Sequence, residues 1–167
     1  MMTMRKMIFA AMAAMATLLA VSCDDDRAPQ STRNAFEAQY PNAVDVDWDK
    51  KRGYSVAEFR IAGEWGEHEA WYDKNGNWVM TKVEMRFSDL PAAVQTAFHT
   101  EYGTETPVAD VERLERKSAD TIYFIEAEVV YNGYLAEVWL DYAEDGTLLR
   151  TSVDVDDYEN IYYYLPL

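Results

Sequence analysis

Glu69-Ala70-Trp71-Tyr72-Asp73, with Gly76 three residues on, decides how this chain is read, because it is met again as Glu137-Val138-Trp139-Leu140-Asp141 followed by Gly146. The match extends outward. Ala35-Phe36-Glu37-Ala38-Gln39-Tyr40 lines up with Ala97-Phe98-His99-Thr100-Glu101-Tyr102, and Thr81 and Val83 line up with Thr151 and Val153. This alignment makes the second turn two residues longer and sets Trp71 and Trp139 at equivalent positions. Two repeats, about 33–87 and 88–155, are expected inside a domain spanning 33–167 that ends in an aromatic tail from Tyr158.

Short alternating runs of aromatic and β-branched residues between turn signals read as strands near 43–50, 54–61, 67–73 and 77–85, and again near 108–117, 121–131, 134–142 and 147–155. Asn75-Gly76 and Asp145-Gly146 supply the residues that tight hairpins demand. Ser31 to Tyr40 and Ser88 to Tyr102 break the alternation. In the latter, Ser88 or Asp89 is placed to cap free amides, Pro91 fits a first helical turn, and Leu90, Val94, Ala97 and Phe98 share one face. The expected class is α+β: tandem helix-plus-four-strand repeats forming an antiparallel sheet, with the helices on one face.

The run Glu67-His68-Glu69-Ala70-Trp71-Tyr72-Asp73-Lys74-Asn75-Gly76-Asn77-Trp78, followed by Ser88-Asp89-Leu90-Pro91-Ala92-Ala93-Val94 and Tyr102-Gly103, resembles the PepSY-like, beta-lactamase-inhibitor-like family of exported Gram-negative proteins. The resemblance covers nearly all of 31–155. It implies a tandem αβ-repeat fold like that of secreted beta-lactamase inhibitor proteins, with a curved sheet whose open face takes a partner. Tyr142-Ala143-Glu144-Asp145-Gly146 departs from the tighter turn of the first repeat, and inhibition of a beta-lactamase does not follow from the resemblance.

The amino terminus has its own signal. Arg5-Lys6 precedes an uncharged run from Met7 to Val21, which is the pattern of an export signal and is shorter than the ~20 apolar residues of a spanning helix. Leu18-Leu19-Ala20-Val21-Ser22-Cys23 resembles a lipobox, so 1–22 is expected to be removed and Cys23, the only cysteine, to be acylated. Residues 23–32 then form an acylated cysteine and tether. Two or more acyl chains hold a protein to a bilayer durably. Asp24-Asp25-Asp26 resembles the acidic tract that sends some lipoproteins to the outer face of the outer membrane, a solvated spacer being the alternative. The expected location is the cell envelope, as an outer-membrane lipoprotein.

Loss of Arg5 and Lys6 with that segment takes the formal charge from −15 to −17. Such a surface repels phosphate backbones, which excludes nucleic acid as a partner. The catalytic inventory is thin, with two histidines, no cysteine beyond Cys23 and no glycine-rich phosphate loop. Glu69 and Glu137 in a glycosidase pair are the one enzymatic arrangement to weigh, and a repeat fold without a deep cleft argues against it. No catalytic residue and no cofactor is expected.

Side chains at i and i+2 share a strand face. His68, Ala70 and Tyr72 therefore oppose Glu67, Glu69, Trp71 and Asp73, and Val138, Leu140 and Tyr142 oppose Glu137, Trp139 and Asp141. If the helices cover the face without acids, Trp71 and Trp139 stand on the open face beside Glu69 and Glu137, with Trp65 and Trp78 extending the patch. Aromatics held on a rigid sheet are typical binding anchors. The expected ligand is a protein, peptide or glycan; the alternative is that the tryptophans lie beneath the carboxy-terminal tail or pack across neighbouring strands. A structural part in an envelope assembly is the other functional reading.

Acidic stretches raise a calcium reading. Asp45-Val46-Asp47-Trp48-Asp49 has alternate-acid spacing, but Lys50 replaces the turn glycine and Val56 the closing Glu. Alternation instead turns Val44, Val46 and Trp48 inward. Asp154-Val155-Asp156-Asp157-Tyr158-Glu159 and the stretch from Asp141 to Asp145 read as solvated turns, so no metal ligands are assigned.

Overall fold

Alternation of apolar and polar residues becomes strands wherever the sequence repeats it with period two, and the strands join into one sheet. A computed structural model describes residues 28–153 and 157–166; the expected signal segment, Cys23, the tether up to Arg27, and the acidic residues Asp154 and Asp156 lie outside the described residues. The element order is α1 (Gln30–Gln39), β1 (Ala43–Lys51), β2 (Tyr54–Ile61), β3 (His68–Tyr72), β4 (Trp78–Glu84), a 3-10 turn (Phe87–Asp89), α2 (Ala92–Tyr102), β5 (Val108–Arg116), β6 (Ala119–Tyr131), β7 (Tyr134–Ala143), β8 (Leu148–Val153) and α3 (Asp157–Tyr162). The eight strands of the described residues lie in one sheet in the order β1 to β8, each antiparallel to its neighbours. The class is α+β.

Turn chemistry sets the hairpins. Arg52 and Gly53, and again Asn132 and Gly133, take paired positive φ values (51° and 86°, 49° and 85°), the backbone that a two-residue turn needs to match strand twist. β4 joins β5 with α2 looped out between them, Met80 standing opposite Arg116 and Glu84 opposite Glu112. That junction makes one continuous sheet of the two halves.

α1 and α2 cover the same face. Phe36 of α1 packs on Ala57, Phe59, Ala70 and Tyr72, while Val94 and Phe98 of α2 pack on Val111, Tyr123, Ile125, Ala127, Val138, Leu140 and Tyr142. The β3–β4 and β7–β8 turns tuck against these helices. A Cβ on Gly76 would lie 3.1 Å from Thr32 Oγ1, and one on Gly146 would lie 2.6 Å from the Ala93 carbonyl oxygen, both at positive φ. Glycine is what lets each turn approach its helix.

Several expectations change. α2 begins after Pro91 with no side-chain cap, because Ser88 and Asp89 are drawn into the preceding 3-10 turn. Val44 and Val46 are 43% and 39% exposed: a bulge between Val44 and Asp47, with Asp45 at positive φ, breaks the alternation of the edge strand β1. Asp47 and Asp49 accept from the Trp48 and Lys50 amides at 2.9 and 2.6 Å. The helices are not confined to one face, since α3 lies on the other.

The turn alignment also shifts. Asp73 N–H donates to Asn77 O and Gly76 N–H to Asp73 O; Ala143 N–H donates to Thr147 O and Gly146 N–H to Ala143 O. The two turns close alike, so the second is not longer, and counted from them Trp71 matches Asp141 while Glu69 matches Trp139. An offset of two preserves the face but not the position.

Candidate binding surface

The sheet face opposite α1 and α2 has two zones. At the end near the β1–β2 hairpin, Val56, Trp71, Met80, Leu114, Ile122, Phe124 and Trp139 form an apolar strip under Ile161, Tyr162, Tyr164 and Leu165. Trp71 and Trp139 are 0% and 2% exposed. They stand on the expected face yet are not surface anchors, because the carboxy-terminal segment lies over them; Tyr162 meets the Trp71 ring edge-on at 5.9 Å.

A polar network sits within this strip. Asp141, fully buried, accepts from Arg150 Nε at 2.7 Å and from the Tyr164 hydroxyl at 2.6 Å. Arg150 also donates to Asn160 through its carbonyl and side-chain oxygens. Burial pushes the Asp141 carboxyl above the usual range, and the bonds from Tyr164 and Arg150 pull it back. Among the described residues, the buried indole N–H groups of Trp71 and Trp139 have no hydrogen-bond acceptor.

At the other end the face is an open recess of about 420 Å³ lined by Glu58, Glu67, Glu69, Glu84, Asp110, Glu112 and Glu126, with Lys82 and Trp139, and bordered by His68, whose ring packs on Phe59 at the helix face. Five strands contribute one member each to a row of alternating charge: Glu58 Oε1 and Glu69 Oε1 lie 2.8 and 2.9 Å from Lys51 Nζ, and Glu69 Oε2 and Glu112 Oε1 lie 3.5 and 2.8 Å from Lys82 Nζ. Asp110 and Glu126 stand opposite one another across β5 and β6. Among the described residues, seven carboxylates to two lysines leave the recess negative, and a concave wall focuses that field. Among the described residues no three Asp, Glu, His or Cys side chains are grouped closely enough to hold a metal ion.

The remaining expected residues scatter. Glu69 lies in the recess at 6% exposure, and Glu137 is exposed on the same face. Trp65, 47% exposed, has the Arg86 guanidinium over its ring at 4.9 Å, beside the β2–β3 connection. Trp78 does not extend the patch: it packs with Phe36 and Tyr72 on the helix face and donates from Nε1 to Thr81 Oγ1 at 2.8 Å. The bulge at Trp71/Tyr72 sets Trp78 opposite Tyr72.

The family described as "Putative beta-lactamase-inhibitor-like, PepSY-like" matches residues 53–150. The chain belongs to this family. A BLIP-like protein from Bacteroides fragilis is 33% identical, with a TM-score of 0.67 over 80% of this chain and 94% of that one. A DUF2874 family protein from Bacteroides ovatus is 27% identical, with a TM-score of 0.70 over 79% of this chain and 93% of that one. A protein from Bacteroides eggerthii described as "putative periplasmic" shares the fold at 23% identity, TM-score 0.71, over 81% and 95%. No curated protein sequence matches the chain.

Sequence reasoning passed over most of the recess. Its signal was present in Asp110 and Glu112 alternating with Val111, and in Glu126 between Ile125 and Ala127: acids recurring with period two on strands whose other face is apolar. The Asp141 network left no such trace, because Arg150 meets it across the β7–β8 pair while Tyr164 and Asn160 come from the carboxy-terminal segment.

Proposed function

We propose that the protein is a non-catalytic binding or inhibitor-like module of the cell envelope that holds a cationic segment of a protein partner in the acidic recess. The observation that carries this is the convergence of seven carboxylates on one concave sheet surface, two of them, Glu69 and Glu112, buried beside Lys82. The family description and the BLIP-like relative support a binding rather than a catalytic role. Electrostatic complementarity of this kind steers a basic partner and sets its register. The envelope location rests on the export signal and on the periplasmic description of one fold relative, and the lipid anchor rests on Cys23 in its lipobox-like setting. We further infer that the halves are tandem helix-plus-four-strand repeats, an inference supported by the like-closing turns at Gly76 and Gly146, each set against its own helix.

Isothermal titration of the mature chain with an oligolysine peptide tests the recess. Neutralising Glu67, Glu84 and Glu126 together to Gln is expected to weaken binding at least tenfold. Asp45, Asp47 and Asp49 changed to Asn remove as much charge elsewhere and are expected to leave affinity within about threefold. Equal losses in both variants, or no binding at 50 mM salt, would overturn the reading.

A second reading has its own observation. The β6–β7 hairpin reaches past its neighbours and exposes Val130, Tyr134 and Leu135 at 71%, 77% and 65%, an apolar tip suited to contact within an envelope assembly.

A further inference from the structure

The carboxy-terminal segment treats the sheet as a ligand would. Tyr164 inserts its ring beside Phe124, centroids 5.7 Å apart, with the Arg116 guanidinium 5.1 Å over it, and sets its hydroxyl on the buried Asp141 carboxylate at 2.6 Å. Arg52 covers the Tyr162 ring at 3.8 Å and Arg150 the Tyr163 ring at 4.4 Å. A core selected for stability alone has little use for a carboxylate at 0% exposure, since an apolar side chain of similar volume there is generally neutral or stabilising. A site that must recognise a phenol has good use for it.

The fit of the segment is incomplete. The indole N–H groups of Trp71 and Trp139 are buried, and among the described residues neither finds an acceptor. Leaving a buried donor unmatched is unfavourable. The mismatch has a local cause. α3 is six residues long, under two turns, and its carbonyls are engaged along and just beyond the helix, as in the Tyr164 N–H to Ile161 O and Leu165 N–H to Tyr162 O bonds. In an extended chain successive carbonyls point to opposite sides, so alternate ones can face the indoles and accept from them. A helix this short is also not stable by its own backbone bonds and depends on its docked side chains.

We propose that the strip beneath residues 157–166 is a binding site for an extended, tyrosine-bearing peptide segment of a partner protein, and that the chain's own carboxy-terminal segment is its internal stand-in. The phenol is read by Asp141 and Arg150, the ring by Phe124 and Arg116, and the backbone by the indoles of Trp71 and Trp139. This inference goes beyond the acidic recess and does not depend on it: the recess variants above leave every one of these residues unchanged, so either reading can fail alone.

The test uses the mature full-length chain and a synthetic peptide of residues 157–167 as the probe, followed by indole fluorescence. Wild-type chain, whose site is filled from within, is expected to bind the peptide at least tenfold more weakly than the double variant Tyr162→Ala, Tyr164→Ala. A peptide with Phe at the position of Tyr164 is expected to lose at least tenfold against that variant. Absence of binding by the folded double variant, or equal affinity for both peptides, overturns the proposal. Hydrogen exchange on the unaltered chain supplies a reading if the double variant does not fold: amides of Tyr164 and Leu165 exchanging at least a hundredfold faster than those of β3 and β7 support it, and equal rates overturn it.

Discussion

His68 shows how one buried residue carries a pH dependence. It is 4% exposed on the helix face, its ring 5.2 Å from Phe59, with Nδ1 lacking a partner and Nε2 3.8 Å from a Glu64 carboxylate oxygen. Burial lowers its pKa below 6.5; the charge of Glu64 opposes the shift more weakly, and Arg113 and Glu115 act further off with opposite signs. Because the folded state holds the proton less well than the unfolded state, the stability contributed by neutral His68 is complete above pH 6.5 and is lost as pH falls through the folded pKa. His68→Phe is therefore expected to flatten the urea midpoint between pH 7 and pH 5, where wild type falls. Parallel slopes would show that the ring is not held neutral. Asp73 and Asp145 carry the reverse dependence: the side-chain and backbone amides of Asn77, with the Asn75 amide, and for Asp145 the Thr147 amide hold their carboxyls below the usual range, so their contribution is lost on acidification.

At the scale of elements, each half seats a hairpin turn on a helix, and glycine is the point of contact. Gly146 and Gly53 share nearly the same φ, 85° and 86°, yet a Cβ on Gly146 meets the α2 backbone at Ala93 whereas one on Gly53 meets nothing within 4 Å. Gly53→Ala is expected to lose about 1 kcal/mol from the left-handed backbone alone. Gly146→Ala adds a backbone clash and is expected to lose roughly 3 kcal/mol, in the range of other local strain and packing defects. Equilibrium urea unfolding of the two variants measures the difference, and equal losses would mean that the β7–β8 turn can lift off α2 freely.

At the scale of the molecule, the chain is one sheet with two differently used faces and a proposed attachment at one end. Cys23→Ser tests that attachment: wild type is expected to fractionate with membranes and the variant with the soluble periplasmic fraction. Membrane association unchanged by the substitution would remove the lipid from the account. The substitution leaves the acidic recess and the tyrosine strip intact, so peptide binding by the purified variant is expected to match wild type.

What the amino-acid sequence determined by itself is the strand pattern and the turn positions set by contacts a few residues apart; the bulges at Val44/Asp47 and Trp71/Tyr72 lay outside that pattern. Period-two alternation placed the strands within a few residues of their observed ends and assigned Trp71, Glu69 and Trp139 to one face and Tyr72 and Leu140 to the other, because successive side chains on a strand must alternate. Local turn signals located the hairpins, and the same short motifs identified the family. The tertiary structure alone decided which parts of that face remain open. Trp71 meets Tyr162 and Asp141 meets Tyr164 across spans of chain that no local period encodes, so whether a tryptophan is an anchor or a buried floor depends on where the terminus docks. The acidic recess had the same origin: Lys82 and Glu112 belong to different halves and become a pair only because β4 joins β5 edge to edge.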